Sequence, residues 1–449
     1  MIFLFIPHYV YTSDLLHTKY INHLASKYRV MVFGPVFDPV NIESYPKLDN
    51  VEYVYMEAQH PNLWLLFNKT LRFSLIKEFD NLEYHKLIAR TGRNLNWQRK
   101  LLKNIAVLLP NFLVKVNSFT KLESILLDNS GLIKDYIDKY QPELILTSTP
   151  GFTGLEAEAV LMAKKNNIKT VAINFSWDNI FNTAKQIRKT DYLIVWNNRV
   201  KNAACEIHGY LPKNICVSGT MRFDHHFNDE FKSKNMSGRT SFLTEKNLNP
   251  NLKTIFFTTV PPHTYPFQTK FLENLINLRD NGVFKENLNI ITRLHPRDEI
   301  ANYKHIIGAK NLHIEEAGQL KNQRPGDLHK IEMNESDLEN LRRSLLYSNV
   351  AVNFRSSMTL ETCLYDLPTI NLAYHDYDIY YQMDHYIPIL ASGAVKLVKN
   401  QEEFINAMKN YLANPRLDSE KRTKISKELV PFQDGLAYKR NVDFLERII

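Results

Sequence analysis

Short apolar runs alternate with longer amphipathic stretches along most of the chain. Each run has the length of a buried strand, and stretches such as Asp14–Lys27 and Thr153–Asn166 have helical periodicity. Strands that alternate with helices are typical of parallel sheets with right-handed crossovers. In the first half the predicted strands are Ile2–Ile6, Arg29–Phe33, Val51–Met56, Leu144–Thr147, Lys169–Asn174, Asp191–Trp196 and Ile215–Ser218.

A polar segment, Asn228–Leu252, interrupts the alternation and is predicted to be a linker or loop, because it is rich in Asn, Lys and Ser. The alternation then resumes with predicted strands at Lys253–Thr259 and Asn287–Leu294. We therefore predict an α/β fold with two Rossmann-like, doubly wound domains. The N-terminal domain is placed at residues 1–235 and the C-terminal domain at 250–430, followed by a terminal segment, 431–449.

One segment of the N-terminal half does not fit this pattern. From Tyr84 to Leu122 there is no Asp or Glu, and basic residues alternate with apolar ones, so we treat residues 60–125 as a basic amphipathic insertion. Such a stretch can lie on an anionic membrane surface. The alternative is that its apolar face packs on the N-terminal domain, and Pro110 excludes a single continuous helix.

The net charge and the cysteine content indicate which kind of partner and which cellular compartment to expect. A net charge of +8 and a pI of about 9.0 favour anionic partners. Three cysteines with neither metal-ligand nor disulfide spacing favour a reducing compartment. The N-terminus is predicted to be a core strand and not a signal peptide, and no apolar run would span a membrane. We expect a cytoplasmic protein, peripheral on the inner face of the membrane if the insertion binds there.

A Ser-rich turn after a predicted strand is the strongest candidate for ligand binding. Arg355, Ser356, Ser357 and Thr359 stand between the strand that starts near Val350 and a helix that contains Glu361. Ligands of open α/β sheets bind outside the carboxyl ends of strands, and helix N-termini attract anions. The turn therefore predicts a phosphate site, with Glu361 available to ribose or sugar hydroxyls. Capping of the helix is the alternative role of the hydroxyls.

A histidine follows another strand of the same half. His295 and Pro296 come directly after the predicted strand, with Arg293 before them and Arg297 after them. Imidazole and guanidinium groups can donate to phosphate oxygens, so we predict that His295, Pro296 and Arg293 belong to the same phosphate site. His263, after the first strand of this half, is expected to face the donor phosphates as well.

The N-terminal half offers candidates for a general base. His8 and Asp14 follow the first strand, where an acceptor could bind, and either could deprotonate an acceptor hydroxyl. Asp178 lies in the loop after the strand Lys169–Asn174, next to Trp177. A tryptophan beside Asp and Asn can hold a sugar, although Trp177 could equally fill a core.

Several chemistries are disfavoured. No Gly-x-Gly-x-x-Gly or phosphate-loop motif occurs, which argues against dinucleotide and P-loop ATP chemistry. Asp376 and Asp378 could hold a divalent ion, but two carboxylates are a weak signal, and we predict no metal and no tightly bound cofactor. No nucleic-acid-binding motif is present.

Taken together, these segments resemble bacterial glycosyltransferases of the GT-B fold that build surface polysaccharides such as capsule or lipopolysaccharide. The resemblance rests on SWDN, DYLIVWN, EIHGY and VSGTMRFD in the first half and on RLHP and RSSMTLE in the second. The last two are similar to motifs of sialic acid and Kdo transferases and, more loosely, of glycerophosphate polymerases. The ending from Phe432 to Arg440 is similar to the terminal segment that crosses back to the first domain.

The resemblance implies two domains that face a cleft and a metal-independent, inverting transfer. A nucleotide-sugar donor, of UDP or CMP type, would bind through its phosphates at His295, Ser356 and Ser357. A glycan or lipid-linked acceptor would lie near Asp14 or Asp178. Two alternatives stay open, a transferase of CDP-activated glycerol or ribitol phosphate and a UDP-sugar 2-epimerase.

Overall fold

The computed structural model describes residues 1–58, 97, 101, 116–127, 131–151, 153–182, 186, 188–227, 236–321, 331–375 and 377–449. The described chain divides into two compact units. Unit 1 comprises Met1–Asp224 together with Leu436–Ile449, and unit 2 comprises His225–Gly435. The change of unit thus falls between Asp224 and His225, before the polar segment in which we had placed it. Most of the basic insertion lies outside the described residues.

Unit 1 is built on a parallel sheet of seven strands in the order β3-β2-β1-β4-β5-β6-β7. Most strands are short apolar runs whose side chains are buried, as expected for a parallel sheet, whereas the edge strand β3 is only partly buried. The strands are β1 (Ile2–Phe5), β2 (Val30–Gly34), β3 (Val51–Tyr55), β4 (Leu144–Thr147), β5 (Lys169–Ile173), β6 (Tyr192–Val195) and β7 (Ile215–Val217).

Helices of unit 1 begin where the sequence offers capping side chains. Thr153 accepts a hydrogen bond from the Glu156 N–H, and Asn197 accepts one from the Val200 N–H. The last helix packs against Lys19–Ala25 and contributes Val442 and Leu445 to the core. The helices are Thr12–Leu15, Lys19–Ala25, Val116–Leu127, Gly131–Tyr140, Gly154–Lys165, Asn179–Asn182, Asn198–His208 and Ala437–Ile448.

Unit 2 contains a parallel sheet of six strands in the order β10-β9-β8-β13-β14-β15, and a short antiparallel pair, β11 with β12. The strands are β8 (Lys253–Thr258), β9 (Leu288–Arg293), β10 (Leu312–Glu315), β11 (Gln319–Leu320), β12 (Ile331–Glu332), β13 (Val350–Asn353), β14 (Thr369–Leu372) and β15 (Lys396–Val398). The helices are Met236–Glu245, Gln268–Asp280, Glu335–Tyr347, Met358–Leu364, Ile387–Ser392, Gln401–Ala413 and Ser419–Leu429. The two parallel sheets confirm the predicted α/β class with two Rossmann-like domains.

The prediction of a linker or loop at Asn228–Leu252 was wrong in its middle part, since Met236–Glu245 is a helix. Phe242 and Leu243 from this helix are buried in the core of unit 2. Their neighbours in the sequence are polar, so no apolar pattern indicated a helix at this position. No helix in the described part of the chain is long and apolar enough to cross a bilayer.

Candidate functional site

Both sheets have a topological switch point, the feature that marks ligand sites in open α/β folds. In unit 1 the chain runs from β1 through β2 to β3 and then returns to β4 on the other side of β1. In unit 2 it runs from β8 through β9 to β10 and returns to β13 on the other side of β8. The crevices at the carboxyl ends of β1 and β4, and of β8 and β13, are therefore the places where ligands are expected.

In unit 2, four neighbouring strands end in loops that carry polar side chains. His263 follows β8, His295 follows β9, the turn Arg355–Ser357 follows β13, and His375 follows β14. Because neighbouring strands are about 4.8 Å apart, the loops of β9 and β13 are separated by roughly two strand spacings. The structure thus sets His295 and the Ser-rich turn on either side of the β8 loop, at the same edge of the sheet.

The hydrogen bonds of His295 fix its position and its tautomer. Its backbone N–H donates to Thr259 Oγ1 at 2.8 Å, and its ring Nδ1 accepts from the Arg297 backbone N–H at 3.0 Å. Since Nδ1 accepts, the proton of the neutral ring belongs on Nε2. His295 is half-buried and can donate from Nε2 to an anion.

The turn that follows His295 is held by a buried carboxylate. The Asp298 N–H donates to the His295 carbonyl at 2.7 Å, and the Asp298 side chain accepts from Gln268 at 3.0 Å and from Tyr303 at 2.7 Å. Pro296 lies inside this turn, where its fixed φ limits the backbone further. The role that the structure supports for Pro296 is therefore to keep the His295 loop rigid.

The two serines of the turn differ in what their hydroxyls do. Ser356 Oγ accepts the Met358 N–H at 3.0 Å and so supports the start of the helix Met358–Leu364. The Ser357 side chain makes no capping bond to this helix, which leaves its hydroxyl to another role. Arg355 is half-buried, and its Nη1 donates to His385 Nε2 at 2.7 Å.

Two residues predicted for the phosphate and sugar contacts lie in the interior of unit 2. Thr359 is fully buried, donates to Asn353 Oδ1 at 3.1 Å and accepts from the Tyr386 hydroxyl at 2.7 Å. Glu361 is buried with its Oε2 at 3.2 Å from His226 Nε2. We correct both predictions, because the side chains support the fold behind the turn instead of lining it.

Arg293 is likewise a structural residue. It is buried, and its guanidinium donates to Glu315 at 3.1 Å and to Asp337 at 2.5 Å. Glu315 stands directly opposite Arg293 in the register of β10 and β9. With both carboxylates already bound, Arg293 is committed to the core, and its predicted phosphate contact is withdrawn.

His263 lies at the surface of unit 2, in a turn closed by the bond from the Thr264 N–H to the Pro261 carbonyl at 2.8 Å. Partial burial and the nearby charge of Arg297 lower the pKa of His263. The neutral ring is therefore favoured near neutral pH. It can still donate one hydrogen bond, so His263 remains a candidate beside His295.

In unit 1, His8 stands at the switch point. It follows β1 and is half-buried. Gly34 lies close to the backbone of Ile6, which is two residues before His8. A Cβ atom at Gly34 would stand 2.0 Å from the Ile6 carbonyl oxygen. Only glycine leaves room for this approach, so Gly34 helps to place the segment that carries His8.

The two predicted acidic candidates follow β1 and β5 in unit 1. Asp14 is buried in the helix Thr12–Leu15, and its Oδ1 accepts from Ser13 Oγ at 2.9 Å. Asp178 is half-buried in the loop after β5 and accepts from the Ser176 hydroxyl. Trp177 is only 5% exposed, which favours the core role for its ring over sugar stacking.

The other side of the unit 1 switch point carries residues that the sequence analysis missed. The loop Ser148–Gly151 follows β4 and is tied to Glu156, a fully buried carboxyl that accepts from Ser148 Oγ at 3.0 Å and the Thr149 N–H at 2.8 Å. Burial raises the pKa of Glu156 to about 7, against the opposing effect of these hydrogen bonds. A polar, Gly-containing sequence directly after an apolar run was the available signal.

No cluster of three or more His, Cys, Asp or Glu side chains suited to a metal occurs in the part of the chain that the structure describes. Asp376, one half of the predicted acidic pair, lies outside that part.

The fold places the chain among proteins with two Rossmann-like domains. The UDP-GlcNAc 2-epimerase from Methanocaldococcus jannaschii aligns with a TM-score of 0.52 and 13% identity over 99% of both chains. A variant of the wall teichoic acid polymerase TagF aligns with a TM-score of 0.51 and 12% identity, over 99% of this chain and 87% of that one. A glycosyltransferase from Rickettsia africae aligns with a TM-score of 0.52 and 12% identity, over 100% of this chain and 98% of that one. At this identity the likeness shows the fold alone.

The sequence itself identifies the family. The family described as CDP-glycerol:poly(glycerophosphate) glycerophosphotransferase matches residues 158–447, which is more than half of the chain, and the protein belongs to this family. The match includes His295 and the Ser-rich turn. No curated protein sequence matches the chain significantly. The predicted transferase class is therefore confirmed, and the family matches the alternative that the sequence analysis kept open, a transferase of CDP-activated glycerol or ribitol phosphate.

Proposed function

We propose that the protein transfers a polyol phosphate from a CDP-activated polyol to a hydroxyl of a surface-polymer acceptor. The observation that carries the proposal is the family match over residues 158–447. It is supported by the position of His295 and Ser357 at the switch point of unit 2, where an anionic ligand is expected. The nucleotide donor is a co-substrate, and no further cofactor is required.

The donor diphosphate is assigned to the carboxyl edge of the unit 2 sheet. In this proposal His295 would donate from Nε2, since its Nδ1 accepts from the Arg297 N–H, and the Ser357 hydroxyl and the Arg355 guanidinium would donate from the turn after β13. His263, in its neutral form, adds a donor from the loop between them. Donors fixed before the reaction stabilise the negative charge that develops on a leaving phosphate.

The transfer is an attack at phosphorus. The acceptor oxygen forms a bond to the phosphorus that bears the polyol, and the bond from this phosphorus to the bridging oxygen breaks. CMP leaves with the electron pair, and the proton of the acceptor hydroxyl passes to a general base. His8 is the preferred base, because imidazole titrates nearest to neutral pH and His8 stands at the switch point of unit 1. Asp14 and Asp178 are the alternatives.

Inverting glycosyl transfer is the second candidate. The motif pair RLHP and RSSMTLE resembles that of sialic acid and Kdo transferases, and the same edge of unit 2 would hold the phosphates of a nucleotide sugar. In that reaction the acceptor attacks carbon and the product carries no phosphorus. A sugar-nucleotide 2-epimerase would bind the nucleotide in the same way but would need no acceptor.

A lipid-linked acceptor would bring the enzyme to a membrane surface. Residues 84–122 are the candidate contact, because they are basic and apolar without any Asp or Glu. Flotation with anionic and with neutral liposomes tests this, and equal behaviour with both would argue against the contact.

The reaction is tested with a panel of CDP-glycerol, CDP-ribitol, UDP-, CMP- and GDP-sugars. We expect CMP release from a CDP-polyol and phosphorus retained in the acceptor product, as measured by chromatography and ³¹P NMR. Release of UDP or GDP, or of CMP from a CMP-sugar, without transfer of phosphorus to the acceptor would establish the second candidate instead. Neither nucleotide release nor nucleotide binding with any donor would reject all of these activities. His305→Ala is the matched control for histidine variants, because His305 is exposed and pairs with Glu273.

A further inference from the structure

Arg355 differs from the buried arginines of unit 2 because it has no carboxylate partner. Four buried arginines in the described part of this unit each form an ion pair, namely Arg279 with Asp280, Arg293 with Glu315 and Asp337, Arg342 with Glu339, and Arg422 with Asp366. Arg355 is half-buried and pairs with none of the described carboxylates, and its Nε is buried without a hydrogen-bond partner. A desolvated charge is costly unless it is paired, so an anionic ligand is the expected partner.

The guanidinium group of Arg355 is held by a ring nitrogen instead. Arg355 Nη1 donates to His385 Nε2 at 2.7 Å. Because a guanidinium group can only donate, His385 Nε2 must accept, and the ring is therefore neutral with its proton on Nδ1. This hydrogen bond orients the guanidinium group and leaves its positive charge uncompensated.

His385 is a rigid support for this hydrogen bond. It is only 2% exposed, and the next residue, Tyr386, is fully buried with its hydroxyl 2.8 Å from Asn371 Oδ1. The Tyr386 N–H also donates to the Met383 carbonyl at 2.8 Å, which closes the turn around His385. A long side chain that is fixed before its ligand arrives loses less conformational entropy on binding, so His385 prepares Arg355 to bind.

The groups that the charge of Arg355 acts on are tyrosine hydroxyls. Burial raises the pKa values of Tyr377, Tyr381 and Tyr386, and the positive charge of Arg355 opposes this rise. All three hydroxyls remain neutral near neutral pH because burial is the larger effect. The tyrosines therefore surround the guanidinium group without neutralising it.

We propose that His385 is a positioning residue that orients Arg355 for the donor diphosphate and keeps its positive charge available. A carboxylate in place of the ring would hold the guanidinium group as well, but it would cancel the charge that a phosphate needs. A neutral acceptor serves both requirements. The contact with the diphosphate rests on the proposed function, whereas the pairing of Arg355 with a neutral ring does not.

The test is ligand binding to the full chain with His385→Gln, His385→Glu or His385→Leu, measured by calorimetry. CDP is one ligand, and inorganic pyrophosphate is the other, because it presents a diphosphate without a nucleoside. Gln and Glu both keep an acceptor, but only Glu adds a negative charge, and Leu removes the acceptor. We expect affinities within about threefold of the unaltered protein for His385→Gln and at least tenfold weaker binding for His385→Glu and His385→Leu.

Arg355→Gln shows whether His385 acts through Arg355. In that background, the Glu and Gln variants of His385 should bind each ligand equally, which a double-mutant cycle measures. A direct repulsion between Glu and the phosphates would persist without Arg355 and would contradict the positioning role. His305→Glu is the matched control, since it changes the net charge equally at an exposed position of unit 2 and should leave binding unchanged.

The tautomer of His385 is a second readout that needs neither ligand nor altered affinity. Multiple-bond ¹⁵N–¹H NMR spectra of the His-labelled chain distinguish the two neutral forms, and the loss of signals in His385→Gln assigns the ring. We expect the neutral form with the proton on Nδ1. A ring protonated on Nε2 cannot accept from Arg355 and would overturn the proposal, even if the variants for the binding test do not fold.

The two ligands separate a failure of this proposal from a failure of the proposed function. Equal CDP affinities of His385→Glu and His385→Gln would overturn the role of His385, although CDP binding itself would support the function. Binding of pyrophosphate but not of CDP, with the expected order of the variants, would support His385 and count against the CDP-dependent reaction. Binding of neither ligand would overturn both.

Discussion

The carboxyl edges of the two sheets have the same topology and opposite hydrogen-bonding character. In unit 2 the edge presents donors, namely His295, Ser357 and Arg355, after strands on both sides of β8. In unit 1 the edge carries acceptors, namely the carboxyl groups of Asp14 and Asp178, which follow β1 and β5. Donors suit phosphate oxygens, and acceptors suit hydroxyl groups.

In the proposed function, this difference explains how two domains of the same fold can bind the two different substrates of a transferase. The sheet topology determines where each ligand lies, because both sheets reverse their strand order beside the first strand of the unit. The side chains after the strands determine what is bound. Variants of the two edges should therefore affect different steps, and the following predictions test that separation.

The largest effect is expected for His8→Ala. Loss of the general base should lower kcat about 10³-fold, within the range for acid–base groups. CDP affinity should stay unchanged, because His8 belongs to unit 1. Steady-state kinetics and calorimetry measure the two quantities. A variant with full activity, while His305→Ala is equally active, would assign the base to Asp14 or Asp178.

His295→Ala and Ser357→Ala should each lower kcat/KM at least tenfold, a loss of about 1.4 kcal/mol in transition-state stabilisation. Each removes a donor from the edge of unit 2, so CDP affinity should fall as well. Ser356→Ala is the informative comparison, since the Ser356 hydroxyl already supports the helix start. If both variants keep full activity and CDP affinity, the phosphate site lies elsewhere.

Thr359→Val should destabilise unit 2 without touching the donor site. The substitution keeps the shape of the side chain but removes the bonds to Asn353 and Tyr386, at a cost of about 1–3 kcal/mol. Thermal unfolding should show a lower Tm, and calorimetry should show unchanged CDP affinity. A large loss of CDP affinity without a loss of stability would show that Thr359 contacts the phosphates after all.

The smallest effect is expected for the pH dependence of stability that arises from Glu156, the residue that holds the loop Ser148–Gly151 of unit 1. The pKa of Glu156 is about 7 in the folded state, above the ordinary value of 4.5, so the folded state binds this proton more tightly. The resulting stability is present below about pH 4.5 and is lost as the pH rises to about 7.

Glu156→Gln cannot lose a proton and should gain about 1 kcal/mol over the unaltered protein between pH 6.5 and pH 8. The amide fits, because the partners of Oε2 are the hydroxyls of Thr149 and Thr153, which can accept as well as donate. Tm values at the two pH values measure the difference. The exposed Glu43→Gln should show none, and an advantage of Glu156→Gln over the unaltered protein that shrinks as the pH rises would reverse the sign we assign.

Strand positions could be predicted from the sequence because each is a short apolar run, and a buried parallel strand needs little else. β10 and β15 were not predicted, since they are short and only partly buried. The missed β10 also explains the wrong role of Arg293. Its partner Glu315 lies directly opposite on that strand, a neighbour that only the sheet register reveals.

The residue types at the candidate site were predicted better than the directions of their side chains. Thr359 and Glu361 were taken for ligand contacts because they stand close to Ser357 in sequence. In the helix Met358–Leu364 they face the core, where Glu361 meets His226, a residue 135 positions away.

CDP binding, measured by calorimetry on the full chain, tests the division between the two edges most directly. The account predicts that His295→Ala and Ser357→Ala weaken CDP binding at least tenfold, while His8→Ala leaves it unchanged. Weakened CDP binding in the unit 1 variant, with unchanged binding in the unit 2 variants, would contradict it.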